Sequence, residues 1–91
     1  MATAQQIAGG IQGRIGLIKM SSWRIGLTHD LNERYKYWKD TQKEYVGAWV
    51  YWQANSLADA QAVEAHFIRQ GMKGGTGGDL SAYRPVYVYI F

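Results

Sequence analysis

The sequence predicts an α+β fold: a small, mostly antiparallel sheet in the order β-β-α-β-α-β with two packed helices. Short β-branched and aromatic runs alternate with two polar-capped stretches of helical period. The first two runs are joined by only two residues, which makes them antiparallel neighbours. With 91 residues there is room for one domain. Four Trp, seven Tyr and two Phe can fill its core.

Taken in order, residues 1–12 contain Gly9 and Gly10 and read as a flexible N-terminal arm before a single domain spanning 13–91. The run Gly13–Met20 (GRIGLIKM) reads as a strand, Ser21-Ser22 as a turn, and Trp23–Thr28 (WRIGLT) as the returning strand of a hairpin. A helix comes next, over His29–Asp40. Asp30 caps it, Glu33 stands three residues on to complete a capping box, and Leu31, Tyr35 and Trp38 form its buried stripe. Glu44–Ala54 (EYVGAWVYWQA) is expected as the central strand, with Val46, Ala48, Val50 and Trp52 on one face and Tyr45, Trp49 and Tyr51 on the other. Both faces are apolar, which calls for cover on each side or for a partner. The second helix starts at Asn55-Ser56, with Ser56 as cap and Asp59 three residues later, runs to Gln70 and stops at Gly71. Five glycines fall between Gly71 and Gly78, and the chain closes after Pro85 with VYVYIF, a strand with Tyr87, Tyr89 and Phe91 on one face. That face reads as strand packing, with a stacking platform or a self-pairing edge as alternatives.

Composition excludes several functions. Without cysteine there is no disulfide framework, thiolate zinc site or cysteine nucleophile. Met1–Gly13 has no basic start leading into an apolar run, so it does not read as a signal peptide. No apolar run approaches the ~18 residues of a membrane span. A cytoplasmic or otherwise intracellular protein without a membrane partner is expected. The net charge is +3, and seven of the ten basic residues lie between Arg14 and Lys43 against the three acids Asp30, Glu33 and Asp40. Such a stretch is either a solvated basic face or a surface for a phosphate-bearing partner.

Two residues stand out as candidates for chemistry. Glu64 falls near the centre of the stripe Leu57, Ala60, Phe67, Ile68, and an inward carboxylate is costly unless it is paired, hydrogen-bonded or bound to a metal. Arg34 lies beside the stripe of the first helix. It can reach the same cleft, either as a phosphate clamp or as the ion-pair partner of Glu64. The glycine-rich GMKGGTGG lacks a Gly-Lys-Ser/Thr ending and comes after a helix, so it reads as a connection and not as a phosphate cradle. His29 and His66 read as surface residues.

The run RIGLTHDLNERYKYW resembles the second signature of GIY-YIG nucleases, a strand leading through a Thr-containing turn into a helix with an essential arginine. Arg34 falls on that arginine. SLADAQAVEAHFI resembles the helix carrying the family's metal-binding glutamate, and Glu64 falls on it; the resemblance extends from Gly13 to Ile68. It implies Arg34 and Glu64 as catalytic residues and Glu64 as a ligand for Mg2+ or Mn2+. The signature tyrosines are replaced, the first by Ile18 in the triplet Gly16-Leu17-Ile18 (or Lys19 in a shifted register) and the second by Arg24, while Trp38 stands where a histidine is often found. Isoleucine exchanges no proton, and protonated Lys or Arg is a poor base near neutral pH. Catalysis would need a relocated group, with Tyr35, Tyr37, Tyr45, Tyr51, His29 and His66 available. The expectation is a divergent nucleic-acid-binding domain with a degenerate nuclease site, taking DNA in preference to RNA. Arg14, Lys19, Arg24, Arg34 and Lys36 would meet phosphates and Trp23 would stack on bases. The alternative is a non-catalytic protein-interaction or homodimerisation module using exposed aromatic strands.

Overall fold

A computed structural model describes residues 1–74 and 85–91. The chain begins with a helix. Ile7, Ile11 and Ile15 recur every four residues and are all buried, giving α1 over Ala4–Ile15 one apolar stripe. Its start is a closed capping box: the Thr3 side chain accepts from the Gln6 N–H (3.2 Å) and the Gln6 side chain accepts from the Thr3 N–H (2.9 Å). The expected flexible arm over 1–12 is therefore helical and carries part of the core. The expected strand Gly13–Met20 is the end of α1 plus an exposed turn through Leu17 and Ile18, closed by a 3₁₀ turn over Met20–Ser22. No hairpin forms there. The Gly16-Leu17-Ile18 triplet lies on no strand.

The other elements match the sequence more closely. Strand β1 spans Ile25–Thr28, α2 spans Leu31–Lys36 and widens into a π-helical turn over Tyr37–Thr41, and α3 spans Leu57–Arg69. Asp30 and Ser56 cap their helices, accepting from the N–H groups of Glu33 and Asp59, both at 3.1 Å. The capping box at Asp30 stays half-made, because its own N–H donates to the Thr28 hydroxyl (3.0 Å) and not to Glu33. Gly71 ends α3 with φ at 116°, a value that L side chains rarely adopt.

The strand expected over Glu44–Ala54 is shorter and lies elsewhere in the sheet. β2 spans Val50–Gln53, and the centre of the sheet is β3, Tyr87–Ile90, with β1 and β2 antiparallel on either side. A turn at Gly47-Ala48 breaks the alternation, so Val46 joins Trp49 and not Val50. The pairing Ile25–Ile90–Val50 and Leu27–Val88–Trp52 gives one aliphatic face, covered by α1 and α3 through Ile7, Ile11, Ala60, Val63 and Phe67. The pairing Gly26–Tyr89–Tyr51 belongs to the opposite face, where Trp38, Trp49 and Phe91 gather. The outer edges of the sheet are partly occupied: Ala2 bridges Gln53 and Asn55 beside β2, while Lys73 bridges Trp23 and Ile25 beside β1. The α+β class with an antiparallel sheet thus stands, with three helices and three strands in the order α-β-α-β-α-β among the described residues.

Candidate functional site: a hollow between two helices and the sheet

The site is assembled from β1 outward. The buried Thr28 hydroxyl ties the end of β1 to the first turn of α2, accepting from the Asp30 N–H and donating to the Asp30 carbonyl oxygen (3.1 Å). This linkage fixes where α2 leaves the sheet and so where Arg34 stands. On the far side α3 rests on β1 through Ala60, Val63 and Phe67, which turns Glu64 towards the same strand.

Arg34 and Glu64 line one small hollow together with Arg24, Gly26, Trp38 and Tyr89. Its free volume is about 10 Å³, room for a single water. The two charged groups expected to converge from separate helices do so, without a direct ion pair. Burial raises the Glu64 carboxyl above its ordinary value. The Nε atoms of Arg24 and Arg34 are buried with no hydrogen-bond partner. Both guanidiniums rest on aromatic rings: Arg24 lies 4.5 Å from the Trp38 ring centroid and Arg34 lies 5.1 Å from that of Tyr37.

Tyr89 is the hydroxyl of this hollow, and it is a tyrosine that none of the proposed relocations included. The Trp38 indole N–H donates to its oxygen at 2.8 Å, and Trp49 stacks on its ring at 4.5 Å. Burial pushes the phenol up from its usual value, while the Trp38 hydrogen bond and the Arg34 and Arg24 charges pull it down and Glu64 adds to the rise. It therefore stays protonated at neutral pH. Gly26 makes the placement possible, since a Cβ there would run into the Tyr89 hydroxyl. The available signal was that a small residue on β1 faces an aromatic on the closing strand. It could be used only once those two strands were known to be neighbours.

The remaining candidates are dispersed. Trp23 is buried at 6% exposure, which corrects its expected role as an open stacking surface: it is core. Arg14, Lys19 and Lys36 are exposed and lie outside the hollow. Tyr35 packs edge-on against Trp49, and Tyr37 accepts from the Gln42 side chain at 3.1 Å. Tyr45 and Tyr51 face solvent, His29 is half-buried at the entrance to α2, and His66 is exposed on α3. Tyr89 is buried and Phe91 partly so, which makes this face of the closing strand packing and not a free platform. Of the glycine-rich stretch, Gly71–Gly74 runs beside β1, with an added Cβ on Gly74 falling 2.7 Å from the Ile25 oxygen. Residues 75–84, including Gly75, Gly77 and Gly78, lie outside the described residues.

Among the described residues, no group of three or more His, Asp or Glu side chains could hold a metal ion. Glu64 alone does not make a resident metal site. A divalent ion there would draw its other oxygens from water and from a bound phosphate. Among the same residues, no helix is long and apolar enough to cross a membrane. Comparisons with protein-family models, with curated proteins and with solved structures gave no match.

Proposed function

We propose that this chain is a nucleic-acid-binding domain that holds a backbone phosphate, of DNA before RNA, at the mouth of the Arg24–Arg34–Glu64–Tyr89 hollow. The carrying observation is that two guanidiniums converge there with buried Nε donors that no protein acceptor satisfies. An oxyanion at the opening is met by the outward N–H groups of both forks, with water in the hollow as the acceptor left for the inner Nε donors. Arginine suits phosphate because its planar fork donates in parallel. The resemblance of Arg24–Trp38 and Ser56–Ile68 to GIY-YIG nuclease segments supports the same assignment. The hollow is too small for the phosphate itself. The phosphate sits at the opening, and the space behind it holds one water beside Glu64 and the Tyr89 hydroxyl. Metal-dependent hydrolysis of the phosphodiester is the stronger form of this proposal.

Titration of labelled DNA against salt tests it. Affinity is expected to fall linearly on a log–log plot, and Arg34→Ala to weaken binding and flatten the slope by roughly one phosphate contact. A flat salt response, or an Arg34→Ala variant that binds like the parent, overturns the proposal. With Mg2+ or Mn2+ present, cleavage that Glu64→Ala abolishes would establish the nuclease form; binding without cleavage would leave a binding domain.

A further inference from the structure

A second and larger recess shares a wall with the hollow. It has about 380 Å³ of free volume, within the usual size of ligand sites. Trp23 and Phe91 contribute apolar lining, Ile18 and Tyr45 stand at its edge, and Arg24 lines both it and the phosphate hollow. Ile18 is 55% exposed, Tyr45 is 85% exposed and the adjoining Leu17 is fully exposed, so large apolar side chains cluster in the open around this recess. Exposed apolar groups concentrated around a concave site mark a binding surface, whereas scattered ones do not.

We infer that this recess takes one unpaired base of single-stranded DNA, whose neighbouring phosphate is the one held at Arg24 and Arg34. The inference rests on the phosphate assignment above and adds the substrate class. The chemistry of the two compartments matches the two halves of a nucleotide. A base brings a flat, apolar face that an exposed aromatic can stack on, and its attached phosphate brings the negative charge for Arg24. Glu44 and Lys73 also line the recess and offset each other in charge, which leaves Arg24, shared with the hollow, as the cation that links the two compartments. A base stacked inside a duplex cannot enter without leaving its pair, so single strands and unpaired positions are the ligands expected.

Binding of three DNA probes separates the two assignments: an oligothymidine, the same backbone built of baseless tetrahydrofuran units, and a duplex. The protein is expected to bind oligothymidine about tenfold or more tighter than the baseless oligomer, and tighter than the duplex. Tyr45→Ala, at a solvent-exposed position, is expected to remove that preference while leaving affinity for the baseless oligomer and its salt slope unchanged; Ile18→Ser is expected to act in the same direction. Arg34→Ala should weaken both oligomers alike. Equal binding of the based and baseless oligomers with the Arg34 dependence intact would overturn the base recess and leave the phosphate site standing. Binding that ignores Arg34, or no binding to any probe, would overturn both.

Discussion

On one face of the sheet Ile25, Val88 and Ile90 meet Val63, Phe67 and the isoleucines of α1; on the other, Tyr89 and Phe91 meet Trp38 and Trp49. The first layer is almost wholly hydrocarbon. Its polar tips are the indole N–H groups of Trp23 and Trp52, of which Trp23 Nε1 is buried without a partner, and its worth lies in area removed from water and in close packing. The second layer buries rings with polar tips. A phenol and an indole N–H must find partners, and they find each other across 51 residues of chain. A layer of that kind can adjoin arginines and a carboxylate, because rings accept cations on their faces and polar tips bring hydroxyls to the boundary. The aliphatic face therefore supports the fold, and the aromatic face can support a site.

Substitutions can break or sharpen this contrast. The largest effect is expected from Phe67→Ala in the aliphatic layer, a loss of about 3–5 kcal/mol of stability by chemical denaturation. A loss near zero would mean that this layer does not carry the fold. Next is Gly26→Ala, where the new methyl group meets the Tyr89 hydroxyl. It should cost about 1–3 kcal/mol and weaken DNA binding by displacing the phenol; unchanged stability and binding would detach Tyr89 from the site. Trp38→Phe leaves the Tyr89 hydroxyl without its donor and is expected to cost about 1–3 kcal/mol. It should also raise the phenol's titration further, since the Trp38 hydrogen bond pulls it down. A spectrophotometric titration that moves the other way would contradict that pairing.

Smaller effects test the helix beneath the aliphatic face. Gly9→Ala and Gly13→Ala meet nothing within 4 Å and should each stabilise by about 0.5–1 kcal/mol in a thermal melt. Gly10→Ala should destabilise, because its methyl group would fall 2.7 Å from Trp52 Nε1. The smallest effect concerns pH. Burial raises the Glu64 carboxyl, so the folded state holds that proton more firmly than the unfolded state does. Stability then falls as pH rises from the ordinary carboxylate range through the raised value, and Glu64→Gln should remove that fall. A parent and a variant with the same pH profile across this window would show that the carboxyl is well solvated.

The features legible in the sequence are those set by local chemistry. Asp30, Ser56 and Gly71 mark helix boundaries because caps and αL stops depend on neighbouring residues alone. The convergence of Arg34 and Glu64 on one hollow was legible from the phase of the two helices. The first helix was obscured by its glycines: Gly9, Gly10 and Gly13 suggested a loose arm, although Thr3, Gln6 and the four-residue isoleucine spacing are a complete helix signature. Tertiary packing against α3 and Trp52 outweighed the weak propensity. The centre of the sheet was misplaced for a related reason. Both Glu44–Ala54 and VYVYIF are apolar on two faces, and only the turn at Gly47-Ala48 distinguishes the half-covered edge strand from the covered central one. Tyr89 depended on that same pairing.

The wide turn at Tyr37–Thr41 holds one more residue than an ordinary helical pitch, and the chain leaving it is caught at once by the Glu44 N–H on the Trp38 carbonyl oxygen (2.8 Å). Such slack is an insertion frozen into the backbone. Removing a single residue at Lys39 or Asp40 would wind the turn back to regular pitch and rotate the downstream chain by roughly 100°. Val46 would be carried off the rings it covers and Tyr45 off the rim of the larger recess. Chain length in this corner is therefore constrained as tightly as residue identity, and homologues that keep the arrangement should carry no gaps there.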